Sequence, residues 1–131
     1  MHIQVITFRL ANMTPARYVA LCDELAPTFA AIPGLLAKTW LANAESGLYG
    51  GVYHWRDRAA METANVFGVV RSYPDFTEAS SRDYPVLEGP TRITHGPDAV
   101  TARSTASHHS PDLLTTHTVV VQQRNQEGDN P

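Results

Sequence analysis

Two strand-like segments in the middle of the chain are separated by so few residues that they can pair only as a hairpin, and this constrains the fold most. Leu35–Ala42 reads LLAKTWLA and Leu48–Trp55 reads LYGGVYHW, with NAESG between them. The intervening residues are typical of turns. Alternation gives the first segment two faces, one with Leu36, Lys38 and Trp40, and the other with Leu35, Ala37, Thr39 and Leu41.

A strand and a helix are predicted before the hairpin. Ile3–Leu10 alternates, and both of its faces are largely apolar, so both are expected to be covered. Thr14 and Pro15 suit the N-cap and the first position of a helix. Apolar residues then recur at intervals of three and four and form one stripe, which comprises Tyr18, Cys22, Leu25, Phe29 and Ile32. Pro27 lies inside this helix and is expected to kink or split it.

A helix and a strand are also predicted after the hairpin. Asp57 suits the N-cap of the helix. The inner face of this helix comprises Ala60, Ala64 and Phe67. A short helical piece is expected around Asp75–Ala79, and a last strand over Ser81–Glu88 is interrupted at Pro85. The resulting order is the ferredoxin-like βαββαβ plan, an α+β fold with a four-stranded antiparallel sheet and helices on one face. The other face would be open, so a homodimer is predicted.

Composition divides the chain into a domain at residues 1–96 and a tail at residues 97–131. All aromatic residues, all methionines and the single cysteine precede residue 97, whereas the tail is rich in Ser, Thr, Asp and Pro. Such a tail cannot bury enough apolar surface to offset its chain entropy, so it is predicted to be mostly disordered. Its segment Leu113–Val121 has strand propensity and could add to a sheet edge. The tail histidines His108, His109 and His117 define no coordination geometry, and no metal is predicted.

Charge and hydropathy limit which partners are expected for this protein and where in the cell it is expected. The net charge is −3 and no basic run occurs, which argues against a nucleic-acid partner. No apolar run approaches the roughly 18 residues of a membrane helix, so no membrane partner is expected. The N-terminal MHIQVITFRL is unlike a signal peptide, and one cysteine cannot form an internal disulfide. A cytoplasmic protein is therefore expected.

Between Leu25 and Gly96 the chain carries a set of short motifs, namely LAP at 25–27, PGLL at 33–36, Lys38 with Trp40, YGGVY at 49–53, DRAA at 57–60 and VLEGPT at 86–91. With these motifs the run resembles the YdhR-like proteins of the dimeric α+β barrel superfamily, a group classed as monooxygenases. It implies two sheets packed face to face across a homodimer, and a pocket between sheet and helices in each subunit. Related barrels include cofactor-free oxygenases of aromatic polyketides, haem-degrading enzymes, lactone isomerases and proteins without a known reaction. The resemblance therefore constrains the fold more than the chemistry.

The sequence departs from the usual pattern of this family in three places. His54 stands where an apolar residue is common. Tyr84 and Pro85 stand where an acid and an aromatic residue are usual. The tail is additional.

His54 is the first candidate for a catalytic residue. Imidazole titrates near neutral pH, so His54 could be a general base that removes a phenolic or carbon-bound proton, leaving an anion that reacts directly with oxygen. The alternative is a strand-end histidine that is partly solvated or bonded to a carbonyl. Alternation places His54 on one strand face with Gly50 and Val52. The opposite face carries Tyr49, Gly51, Tyr53 and Trp55, and the sequence does not decide which face meets the helices.

The neighbouring strand offers further candidates. Lys38 could hold an oxyanion and Trp40 could stack on an aromatic substrate. Alternatively, Trp40 belongs to the core and Lys38 reaches solvent with its stem buried. Tyr18 could donate a hydrogen bond into the same cavity, and Tyr53 and Gly50 complete the predicted substrate-binding set.

Other polar residues are weaker candidates. Arg71 and Tyr73 could line the mouth of the pocket, but a surface position explains them equally well. Cys22 is expected to be a small buried hydrophobe. His2 lies at the chain start, where it could be frayed.

Motifs for known cofactors are not found in the sequence. It lacks a P-loop, a dinucleotide fingerprint, a nucleophile elbow and a zinc motif, so no cofactor is predicted. The predicted function is a cofactor-independent monooxygenase-like enzyme, or a related isomerase or cyclase, acting on a small aromatic or polyketide-type substrate. The alternative is a non-catalytic ligand-binding or stress-related barrel that holds a hydrophobic molecule.

Overall fold

The computed structural model describes residues 1–95 and contains, in that range, four strands and four helices. They are β1 (His2–Leu10), α1 (Pro15–Ala30), β2 (Leu35–Asn43), β3 (Leu48–Trp55), α2 (Arg58–Ala64), α3 (Val66–Ser72), β4 (Phe76–Pro85) and α4 (Glu88–Thr94). Residues 1–91 form one compact unit. The predictions on the tail, including the strand at Leu113–Val121 and the histidines at 108, 109 and 117, lie outside the described residues.

The strands form one antiparallel sheet in the order β2-β3-β1-β4, which confirms the ferredoxin-like α+β prediction. β1 lies in the centre, where His2 is opposite Trp55 of β3 and Pro85 of β4. β2 and β4 are the edge strands. Pro85 ends an edge strand, where its missing N–H breaks no ladder hydrogen bond.

The two faces of the sheet differ in burial. Along β1, His2, Gln4, Ile6 and Phe8 are buried, and the residues between them are only half-buried. Tyr49, Gly51, Tyr53 and Trp55 of β3 are buried as well. The core cluster joins these strands to residues of the first three helices, namely Tyr18, Ala60, Met61, Val66 and Val70. The aromatic face of β3 therefore meets the helices, and Val52 and His54 lie on the opposite face.

Polar side chains on the helix-facing side of β1 are buried with partners. The Trp55 indole N–H donates to Oε1 of Gln4 at 3.0 Å, and Nε2 of Gln4 donates to Oγ of Ser81 at 3.0 Å. Nε2 of His2 lies 2.7 Å from Oδ1 of Asp83. His2 is therefore buried and held by Asp83, so it is not frayed. A buried polar side chain is tolerated where it is hydrogen-bonded.

The helices confirm both predicted N-caps and correct two details. Oγ1 of Thr14 accepts from the Arg17 N–H at 3.1 Å, and Oδ1 of Asp57 accepts from the Ala60 N–H at 2.8 Å. α1 continues unbroken through Pro27, so of the predicted kink or split, the split is wrong. The helix predicted after Asp57 is two helices, because Asn65 between them adopts a left-handed conformation with φ of 51°.

The last strand begins earlier than predicted, and the helical piece at Asp75–Ala79 is wrong. β4 starts at Phe76, which pairs with Leu10 of β1. The Phe76 ring stacks on Phe8 with centroids 4.1 Å apart, so pairing with the central strand outweighs local helix propensity. A register irregularity near Glu78, whose φ is 52°, interrupts the period-two pattern that would have revealed the strand.

A bulge at the start of β2 also alters the predicted faces. The register shifts between Leu35 and Ala37, so Leu35 is opposite Trp55 and packs against the core, whereas Leu36 is exposed. The prediction that Leu36 shares the face of Lys38 assumed an unbroken alternation, which the bulge removes.

Gly50 gives a test of the sheet geometry. Its φ is 148°, and an added Cβ would lie 1.9 Å from the Ile6 carbonyl oxygen. Gly50→Ala is expected to lower the free energy of unfolding by about 1–3 kcal/mol, through backbone strain and overpacking against β1. Urea unfolding measures this change. Gly89→Ala is the matched control, since an added Cβ there meets nothing within 4 Å; equal effects of the two variants would contradict the account.

Candidate functional site

Lys38 on β2 extends beneath α1 into a cage of aromatic rings. Its Nζ lies 3.2 Å from the ring centroid of Trp40, 3.6 Å from that of Phe29 and 4.7 Å from that of Tyr53. Lys38 is opposite Tyr53 in the β2–β3 register, and Phe29 is a half-buried residue on the apolar stripe of α1. Gly51 leaves the room that the lysine needs, because an added Cβ there would lie 2.8 Å from Cε of Lys38.

The charge of Lys38 has no carboxylate partner among residues 1–95. Burial lowers the pKa of Lys38 from 10.5 to about 7, and the nearby Cys22 acts in the opposite direction. The ring faces also favour the ammonium, since their negative quadrupoles attract a cation. Lys38 therefore has both protonation states available near neutral pH.

The titratable neighbours of Lys38 stay neutral. Burial raises the pKa of the Tyr18 hydroxyl and of the Tyr53 hydroxyl far above the ordinary value of a phenol. Burial also raises the pKa of the Cys22 thiol, although Tyr18 and Lys38 oppose this shift. The Tyr18 hydroxyl donates to the Gly50 carbonyl at 3.5 Å, which is a long and weak hydrogen bond.

Three spaces lie between α1 and the edge of the sheet. The inner cavity has a volume of about 40 Å³, and its lining includes Lys38, Tyr18, Tyr53 and the backbone of Gly50. The Tyr18 cleft has about 320 Å³ and is lined by Tyr18, Val19, Cys22, Asp23, Ala26, Trp40, Leu41 and Ala42. The Leu36 cleft has about 220 Å³ and is lined by Ala26, Phe29, Ala30, Leu35, Leu36, Ala37, Lys38 and Trp40. Trp40 borders all three spaces.

The structure brings together five of the six predicted site residues, which are Lys38, Tyr18, Trp40, Tyr53 and Gly50. The sixth, His54, lies half-buried on the opposite sheet face, between Ile3 of β1 and Ala37 of β2. One subunit therefore does not place His54 in the same cavity as Lys38. Arg71 and Tyr73 line none of the three spaces.

The family described as "Putative mono-oxygenase ydhR" matches residues 3–97, which is well over half of the chain. The chain belongs to the YdhR family. Among curated proteins, none matches it.

Solved structures support the same fold for this YdhR-family chain. One, from Deinococcus radiodurans, is described as a "putative antibiotic biosynthesis monooxygenase"; it is 20% identical and covers 68% of this chain and 95% of its own, with a TM-score of 0.55. A mutant of SnoaB, a cofactor-independent oxygenase from Streptomyces nogalater, is 18% identical over 66% and 92%, with a TM-score of 0.52. The heme-degrader MhuD from Mycobacterium tuberculosis, with two hemes bound, is 16% identical over 66% and 96%, with a TM-score of 0.54. At these identities the likeness establishes the fold alone.

Several residues of the site in this YdhR-family protein were not predicted from the sequence, and Phe29 and Cys22 are the two nearest to the chemistry of Lys38. The Phe29 ring covers Lys38, and the Cys22 thiol borders the inner cavity and the Tyr18 cleft. Both residues lie on the apolar stripe of α1. That stripe predicted contact with the sheet, but it did not predict a cavity beside these residues. A stronger signal was present at Lys38, because it is the only lysine in the chain.

Other site types find no support within residues 1–95. That range contains no group of three or more His, Cys, Asp or Glu residues that could hold a metal ion. None of the helices described there is long and apolar enough to cross a membrane.

The buried lysine predicts a pH dependence of stability. Between pH 7 and pH 10.5 the unfolded chain binds more protons at Lys38 than the folded chain does, so stability should rise with pH across this window. Between these two pH values the slope is at most about 1.4 kcal/mol per pH unit. Below about pH 7 Lys38 is protonated in both states, so its destabilising effect is at its full size and no longer changes with pH. Urea unfolding at several pH values from 7 to 9.5 should show this rise in the wild type relative to Lys38→Met. Parallel curves for the two proteins would contradict it.

Proposed function

We propose that this protein is a cofactor-independent monooxygenase that oxidises a small, electron-rich phenol, quinol or anthrone-type molecule. The observation that carries the proposal is that, among residues 1–95, Lys38 is the only charged residue in the lining of the inner cavity, and the other described groups there are apolar or neutral. A buried cation without a counter-ion favours a substrate that binds as an oxyanion. Membership of the family described as "Putative mono-oxygenase ydhR" supports an oxygenase reaction, and SnoaB, described as a cofactor-independent oxygenase, has the same fold.

The proposed reaction starts with proton transfer to Lys38. The neutral amine takes the proton of the substrate hydroxyl or of its activated C–H, and the resulting ammonium stabilises the anion. The anion gives one electron to O₂, and the substrate radical and superoxide combine and take up a proton to form a hydroperoxide. Loss of water from the hydroperoxide leaves a carbonyl, so a CH₂ group and O₂ become C=O and H₂O. The substrate itself supplies all the electrons.

The Tyr18 cleft is the proposed position of the substrate ring. Its volume of about 320 Å³ lies at the lower end of the range for ligand pockets, about 300–1,000 Å³. One wall is Trp40, on which an aromatic ring can stack, and the Tyr18 hydroxyl can donate to a substrate oxygen in place of its long hydrogen bond to Gly50. Lys38 does not line this cleft, but Trp40 borders both the cleft and the inner cavity and contacts Lys38, so the proposal needs the reacting oxygen to lie at the Trp40 side of the cleft.

Oxygen uptake with a panel of anthrones and quinols tests the role of Lys38. Lys38→Met is expected to lower kcat/KM by about 10²- to 10⁴-fold, the usual contribution of a positioned acid–base group. His54→Ala is the matched comparison, since His54 lies on the other sheet face, and its rate should stay within a few-fold of wild type. Equal rates for wild type and Lys38→Met would remove Lys38 from the mechanism. No uptake by the wild type on any substrate would favour the ligand-binding alternative.

We also propose that two copies pack through the open sheet face as a homodimer. That face carries the half-buried residues Ile3, Val5 and Val52, and Tyr84 is half exposed. Val52 lies between Val5 of β1 and Thr39 of β2, near the middle of the face. Burying such a face against a second copy removes apolar surface from water, and it places His54 at the interface. A cytoplasmic location stays a prediction from the sequence.

Sedimentation or light scattering tests the homodimer. Val52→Asp would bury an unpaired carboxylate at the proposed interface and is expected to yield monomers. Val69→Asp is the control, because Val69 on α3 is 62% exposed and lies outside the open sheet face. A monomeric wild type, or a Val52→Asp protein that remains dimeric, would contradict the proposal.

A further inference from the structure

We propose that Lys38 is also a nucleophile, which binds small aldehydes or ketones in the Leu36 cleft as a reversible iminium ion. This activity goes beyond the oxygenase function and does not depend on it. The ligand class is a carbonyl compound small enough for a cleft of about 220 Å³.

The surroundings of the amine favour nucleophilic attack. Among residues 1–95, no carboxylate forms an ion pair that would hold Lys38 protonated. With a pKa of about 7, roughly half of the amine is neutral at pH 7, whereas an ordinary lysine is neutral in about one molecule in a few thousand. A desolvated lysine in an apolar pocket is a recognised way to activate this nucleophile.

The aromatic cage suits the product as well as the amine. An iminium ion retains the positive charge at the same nitrogen, so the rings of Phe29, Trp40 and Tyr53 can stabilise it as they do the ammonium. Among the described residues, the other side chains that line the Leu36 cleft are alanines and leucines, so no charged group there competes with the iminium ion for the rings. Lys38, Phe29 and Trp40 all line this cleft, so we place the approach of the carbonyl compound to the amine there and not through the inner cavity.

The step balances with no further reactant. The nitrogen lone pair attacks the carbonyl carbon, and the carbonyl oxygen takes up a proton to give a carbinolamine. A second proton transfer lets the oxygen leave as water while the nitrogen lone pair forms the C=N bond. Amine, carbonyl compound and one proton thus become a protonated iminium ion and water, and addition of water reverses the step.

Reductive trapping tests the proposal on the full chain. The protein is incubated at pH 7 without oxygen, with propanal as the probe and cyanoborohydride, which delivers hydride to the iminium carbon and fixes a secondary amine. Peptide mass mapping over time then measures alkylation at Lys38. Because Lys38 is the only lysine, the N-terminal amine is the one other primary amine, and it serves as an internal standard.

The control moves the single lysine to the surface. In the double variant Lys38→Arg with Arg58→Lys, the relocated lysine lies at a position on α2 where the arginine side chain is 69% exposed. We expect Lys38 in the wild type to react at least tenfold faster, relative to the N-terminal amine, than the relocated lysine. Concentrated urea should remove this advantage from the wild type, which gives a second comparison if the double variant does not fold.

Alkylation of Lys38 at the rate of the relocated lysine or below, or no loss of rate in urea, would overturn the proposal. These results leave the oxygenase function untouched, because trapping uses neither oxygen nor a quinol. A failure of oxygen uptake would likewise leave the trapping result intact, so the two proposals can fail separately.

Discussion

The burial of one ammonium group among aromatic rings is the interaction on which the site depends. Transfer of a charged amine from water into an apolar cavity is unfavourable, and here no carboxylate among the described residues offsets that cost. The ring faces of Trp40, Phe29 and Tyr53 offset part of this desolvation cost. The part that is not offset lowers the pKa of Lys38. The buried ammonium of Lys38 therefore lowers the stability of the fold near neutral pH. A buried group with a shifted pKa at a cavity is typical of a functional site, which explains why a destabilising residue stands there.

The two glycines of β3 serve different contacts. Gly50 lets the backbone of β1 approach closely, since any side chain there would meet the Ile6 carbonyl. Gly51 faces the helices and leaves space for the stem of Lys38. The first glycine therefore shapes the sheet, and the second shapes the site. Both effects come from the absence of a Cβ at a point of close approach.

The two sheet faces have separate roles. The helix-facing side holds the core, the buried Trp55–Gln4–Ser81 hydrogen bonds and the Lys38 cage. The other side carries His54 with Ile3, Val5 and Val52, and none of the first three helices covers it. His54 was the leading candidate base from the sequence, but period-two alternation places it away from Lys38. A strand histidine is informative only when the direction of its face is known.

The sequence by itself determined the βαββαβ order, the two helix N-caps, the hairpin and the membership of Lys38, Trp40 and Tyr18 in one candidate site. These follow from alternation, helical spacing and turn residues, which act over a few neighbouring positions. Tertiary structure decided which face of β3 meets the helices, the bulge that turns Leu35 inward, the early start of β4 at Phe76 and the rings around Lys38. Those features depend on contacts between segments distant in the chain, and local patterns carry no information about which of two apolar faces a helix will cover.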